Sequence, residues 1–203
     1  MSNTVVVFGA LALVGVAAGI ASLCYLHAAP TGLSPWRNPV SQYGIVKERA
    51  GYRAATISLG FAGATLAVGI DVALAGRGRI VVSLLVVFAI CRLIIGRFPM
   101  DTPGTPITPT GQIHGLIAVV TFGSVTIAAI RLGQVLANGI RWHALAPTST
   151  GLGWAMAACI MTMLLTRAIP SLRRYFGAVE RGLYVAIIAW LSVFAVACTL
   201  RLG

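Results

Sequence analysis

VVVFGALALVGVAAGIASLCYL, residues 5–26, carries no charged side chain. At about 1.5 Å per residue, a helix of this length crosses the roughly 30 Å of hydrocarbon in a bilayer. In water the run would need protein wrapped around every side of it, and the rest of the chain is too poor in polar residues to serve as that wrapping. Of the 203 residues, 58% are hydrophobic and 9% charged, and the mean hydropathy is +0.93. Five further stretches read as spans: Ala54–Ala75, Ile80–Ile95, Ile113–Ile130, Leu152–Leu165 and Leu183–Leu200, the shorter ones extended by uncharged flanks. The expectation is an all-α polytopic bundle of six transmembrane helices, one domain over residues 1–203, with both termini on the same side. A membrane barrel would instead show strands of about ten residues alternating polar and apolar, and that pattern is absent.

The first run differs from a signal peptide in three ways: no basic residue precedes it, it is long, and no clear small-x-small site follows. It reads as a retained helix. Cys24, Cys91, Cys159 and Cys198 form no C-x-x-C pair and fall within or at the ends of spans, so they read as small packing residues.

The connections alternate between two faces. Face A carries residues 27–53, 96–112 and 167–181; face B carries 76–79, 131–148 and the termini. Pro30, Pro99 and Pro170 stand where the odd-numbered helices reach face A, as expected where helical geometry must stop. The face B turn "AGRGR" predicts a tight antiparallel hairpin of the second and third helices. Arg37, Lys47, Arg49, Arg53, Arg92, Arg97, Arg167, Arg173, Arg174 and Arg181 belong to face A, against Arg77, Arg79, Arg131, Arg141 and Arg201 on face B. By the positive-inside rule, face A is cytoplasmic. The formal net charge of +11 comes from residues flanking spans, where anionic headgroups lie, so membrane lipid rather than nucleic acid is the expected partner. The site of action is the plasma membrane.

The centres of the spans are uncharged, with only Ser58, Thr65, Ser83, Thr121, Ser124, Thr162 and Ser192 as polar residues, each able to bond a carbonyl one turn back. Gly15 with Gly19, Gly60 with Ala64 and Gly111 with Gly115 permit close helix approach.

"RFPMDTPGTPITPTGQIHG", residues 97–115, stands apart from this apolar background. Arg92 lies about 9 Å below Phe98 along the third helix, where a guanidinium must snorkel or find an anion. Two readings compete for this segment. In one, Arg92 and Arg97 reach lipid phosphates while Asp101 closes an Asx-type turn. In the other, Arg92 and Arg97 hold an anionic ligand, with Asp101 and His114 fixing their geometry. Pro99, Pro103, Pro106 and Pro109 stiffen the loop, and Thr108 followed by Pro109 reads as N-cap and first position of the fourth helix. His114 then sits about a turn inside, either as a hydrogen-bonded structural residue or as part of a site, with Gly111 and Gly115 leaving room beside it. The first long connection brings Ser41, Gln42 and Tyr43 to the same face. Trp36, Tyr43 and Tyr52 read by default as an aromatic belt.

"VSQYG" with Ser41 and Gly44, "GRFPMD" with Gly96, Phe98, Pro99 and Asp101, and "GQIHG" with His114 follow one another between spans. In these motifs and their order the chain resembles the prokaryotic six-helix membrane proteins grouped as domain of unknown function 998. The resemblance implies the six-helix architecture and no activity.

Three functions compete. The first is a module that binds an anionic amphiphile or lipid headgroup at face A through Arg92, Arg97, Asp101, His114, Ser41 and Tyr43, or an accessory subunit of another membrane protein. The second is a lipid hydrolase or transferase using Ser41, Asp101 and His114. A three-His metal site cannot assemble, because His143 is on face B, although His27, His114 and Asp101 remain a geometrically possible set. The third and least favoured is a transporter, which the missing repeats and uncharged span centres oppose. No cofactor or metal is expected.

Overall fold

The computed structural model describes residues 3–138 and 141–200. Arg201, one of the face B cations, lies outside the described residues, as do Gly139 and Ile140 in the 131–148 connection. The main elements are α1 (Asn3–Ala28), α2 (Arg49–Ala73), α3 (Arg79–Ile94), α4 (Pro109–Leu136), α5 (Ala146–Ala168) and α6 (Phe176–Thr199). Short 3-10 turns join them, and no strand occurs among the described residues. With their flanking turns, all six helices are long and apolar enough to cross a membrane, so the chain is a multi-pass membrane protein. A helix answers the bilayer's main demand, because its backbone groups bond one another rather than facing hydrocarbon.

Each helix packs on the next, and α1 closes the ring against α6. A further contact between α2 and α6 runs across the middle. These two helices are the most enclosed, and α5 is the most exposed. Small residues set the close approaches. A β-carbon at Gly15 would lie 3.0 Å from Ala62 of α2, and one at Gly60 would lie 3.1 Å from both the Ala89 carbonyl and the Arg92 β-carbon of α3. Inside the helices, Thr65, Thr121, Ser124, Thr162 and Ser192 bond carbonyls of the preceding turn.

The helix ends follow the prolines. α1 stops at Ala28 before Pro30, α3 tightens into a 3-10 turn at Ile95–Arg97 before Pro99, and α5 stops at Ala168 before Pro170. At the opposite end of the bundle, Ala75 and Gly76 take positive φ of 48° and 75°. The Gly76 N–H bonds the Asp71 carbonyl at 3.0 Å there, closing the α2–α3 hairpin.

The helices outrun their apolar stretches. α5 begins at Ala146 rather than Leu152, α4 continues to Leu136 rather than Ile130, and α6 begins at Phe176 rather than Leu183. Hydropathy marks where a helix meets lipid, whereas the helix itself continues for as long as its polar side chains find partners. Buried Ser149, in the early part of α5, donates to the Ala129 carbonyl at 2.7 Å and accepts from the Trp190 indole at 2.9 Å, tying α4, α5 and α6 together. The α6 extension carries Glu180 and Arg181 into the bundle.

Candidate functional site

α3 brings Arg92 into its last turn, packed against Gly60 of α2, and leaves it 2% exposed. One terminal nitrogen, Nη1, donates to the Tyr184 hydroxyl of α6 at 2.9 Å. The guanidinium carbon lies 5.2 Å from the Tyr184 ring centroid. Nε and Nη2 are buried without a hydrogen-bond partner among the described residues. These two nitrogens form one edge of the planar guanidinium, the side-on fork that matches two oxygens of a carboxylate or phosphate.

The 3-10 turn after α3 frees the Phe98 carbonyl, which lies 2.7 Å from His114 Nδ1. A carbonyl only accepts, so Nδ1 carries a proton, and in the neutral imidazole Nε2 then presents a lone pair. Nε2 makes no hydrogen bond among the described residues. On α6, buried Glu180 accepts from the Val40 N–H at 2.6 Å through one carboxylate oxygen, and the other oxygen has no hydrogen-bond partner among the described residues. Arg92, His114 and Glu180 line one small cavity with Ser41, Thr121 and the buried rings of Tyr52 and Tyr184, closed by Ile95, Ala118 and Phe122. Its volume is about 20 Å³, room for a water molecule or two.

Four expectations are corrected. Asp101 does not reach Arg92, and it closes no turn of its own. Its two oxygens accept from the Thr108 hydroxyl at 2.6 Å and the Thr108 N–H at 3.0 Å. These two bonds, the hydroxyl's first, hold its carboxyl below the ordinary carboxylate range. The turn in this loop is instead made by Thr105 N–H on the Thr102 carbonyl. The space expected at Gly111 is filled by the Asp101 carboxylate, whereas the room expected at Gly115 is there, on an exposed face of α4. Tyr52 is not a belt residue but lies 3% exposed in the cavity wall. His27 does not approach His114. Its Nδ1 bonds the Leu23 carbonyl and its Nε2 accepts from Arg181 Nε at 2.7 Å. Among the described residues no group of three or more His, Cys, Asp or Glu could hold a metal ion.

The remaining named residues separate. Ser41 stays at the cavity, its hydroxyl donating to Met100 Sδ at 3.3 Å. Arg97 is exposed at the end of its turn, outside the lining. Tyr43 is buried in a second cluster beneath Arg181, whose guanidinium carbon lies 6.0 Å from its ring centroid. Sequence reasoning missed Tyr184 as the hydrogen-bond partner of Arg92 and Glu180 as its neighbour in the cavity lining. The signal was present in "ERGLY": residues four apart on a helix share a face, so an acid and a phenol point together while Arg181 points elsewhere.

No curated protein and no solved structure matches the chain. The order of these motifs along a six-helix frame agrees with a family-model match over residues 6–197, and the chain belongs to the family described as protein of unknown function DUF998.

Proposed function

We propose that the cavity receives the anionic end of an amphiphile, a phosphate or carboxylate whose oxygens engage the Nε–Nη2 edge of Arg92, in the plasma membrane. The observation that carries this reading is a guanidinium 2% exposed with that edge unpartnered. Burying a charged donor without an acceptor is unfavourable by several kcal/mol, and that cost supports the reading that an oxyanion binds here. Lysine would supply the charge without the fork.

The test is native mass spectrometry of protein purified from bilayers. Wild-type protein is expected to keep a lipid adduct that Arg92→Lys loses while remaining folded. Equal retention by both proteins overturns the reading.

A second reading, lipid hydrolysis or acyl or phosphoryl transfer, is favoured by one observation. His114 has Nδ1 fixed by a carbonyl and Nε2 open, in the same cavity as the Ser41 hydroxyl. The thioether that Ser41 now bonds is a weak acceptor and competes poorly for that proton. Asp101, held by Thr108, takes no part, and the Phe98 carbonyl orients the imidazole in its place. Release of product from labelled lipid that depends on His114 and Ser41 distinguishes this reading from binding alone.

A further inference from the structure

Resting on that reading, we infer that the group the cavity takes is zwitterionic, a phosphate next to a primary ammonium, with Arg92 receiving the phosphate and Glu180 the ammonium. An anion alone fits the lining poorly. The lining sets the Arg92 guanidinium and the acid Glu180 on the same cavity, so a lone anion would meet an acid as well as a cation. A zwitterion offers each of the two a group of opposite charge, and a charge left without one is unfavourable at low dielectric.

The hydrogen-bond inventory points the same way. Two donors of Arg92 lack acceptors, while two acceptors, His114 Nε2 and the second Glu180 oxygen, lack donors. A phosphate satisfies the first pair. A primary ammonium brings three N–H donors for the second pair, whereas a quaternary ammonium brings none. The matching chemistry is therefore a phosphoethanolamine group, carried either by a lipid or by a free molecule.

The cavity admits a water or two, so the group enters only when a wall gives way as a cover would. The wall we assign to that role is the 3-10 turn Val40–Ile45, which brings Ser41 to the lining and is joined to Glu180 through the Val40 N–H. When the clip opens, the Glu180 oxygen released by Val40 can take a further N–H of the ammonium, so the carboxylate is not stranded.

The experiment uses the full chain in nanodiscs of equal phosphatidylethanolamine, phosphatidylcholine and phosphatidylglycerol, extracted and weighed by native mass spectrometry. Wild-type protein should keep the ethanolamine lipid at least about tenfold over the other two, and Glu180→Gln should transfer the preference to phosphatidylglycerol. The glutamine carbonyl can still accept from Val40, so the cover stays fastened. Phosphatidylglycerol retained as well as the ethanolamine lipid in the wild type, or a ranking unchanged in Glu180→Gln, overturns the inference. If Arg92→Lys loses every adduct in that case, the oxyanion reading stands without the zwitterion; if Arg92→Lys keeps them all, both fall. A second arm needs no variant: lipid-stripped wild-type protein is titrated with soluble glycerophosphoethanolamine, a phosphodiester of no net charge, and with inorganic phosphate by calorimetry. Binding of the former alone, with no lipid adduct, identifies a free ligand of the same chemistry. Equal binding of the two rejects the zwitterion.

Discussion

Two arginines at the same end of the bundle have opposite fates. Arg181 donates to His27 Nε2, to the carbonyls of Pro35, Asn38 and Gly177, and to the Tyr43 hydroxyl at 3.5 Å. It fastens the first face A connection to α6 and has no fork left to offer. Arg92, more deeply buried, donates once and keeps the edge best suited to an oxyanion unpartnered. The difference is one of surroundings rather than residue type. Carbonyls freed by an irregular loop surround Arg181, whereas Arg92 faces helix walls whose carbonyls are already used. A satisfied cation explains a fold, and a buried unsatisfied one is the observation from which the proposed ligand is argued.

The largest effect should come from removing the satisfied one. Arg181→Ala strands several carbonyls and the His27 acceptor, so a loss of roughly 3 kcal/mol or more is expected, read as a lower Tm in micelles. Whatever folds should rank lipids as the wild type does. A Tm within a degree of wild type would mean that the loop is held by something other than Arg181. Arg92→Lys comes next and should behave in the opposite way, with a smaller change in Tm but at least about a tenfold loss of adduct, equivalent to about 1.4 kcal/mol of binding. If it lowers Tm as much as Arg181→Ala and leaves retention intact, the contrast between the two residues collapses. A smaller and more local effect is expected of Gly111→Ala, because a β-carbon there would occupy the place of the Asp101 carboxylate. It should weaken the start of α4 and lower Tm by less than either arginine variant.

The six helices were legible because apolar length is a property of contiguous residues, and the proline stops and the Thr108 cap were legible because they act within a few positions. The cavity was legible in part. Arg92 and His114 stood out as polar groups in apolar company, but the residues that line the cavity with them come from α2, α6 and the first connection. No local rule sets the distance between Arg92 and Tyr184. Asp101 misled for a related reason. Its nearness in sequence to Arg92 and His114 implied a shared site, yet the turn through Gly104, at a φ of 89°, folds its carboxylate back onto Thr108. Glu180 fell outside the apolar stretch that marked the sixth helix, so its place inside the bundle was not visible until the helix was seen to begin at Phe176.

Asp101 therefore supplies the mildest test, and it probes the edge of the comparison. The Thr108 hydroxyl donates to Asp101 and accepts from the Gly111 N–H at 3.1 Å, so the carboxylate braces the residue that caps α4. Thr108→Ala should cost about 1 kcal/mol, as N-cap losses do. Because both Thr108 bonds favour the charged carboxylate, its native pKa is depressed from the ordinary 3.8. A depressed carboxyl contributes stability that is fully present above the ordinary value and is lost as pH falls through the native one. The Tm gap between wild type and Asp101→Asn should thus be constant from neutral pH down to about pH 5 and close in stronger acid. Lipid retention at neutral pH should be the same in both proteins, since Asp101 lies outside the cavity lining. A variant that keeps its Tm but loses its adduct would extend the site into the proline loop and return Asp101 to the side of Arg92.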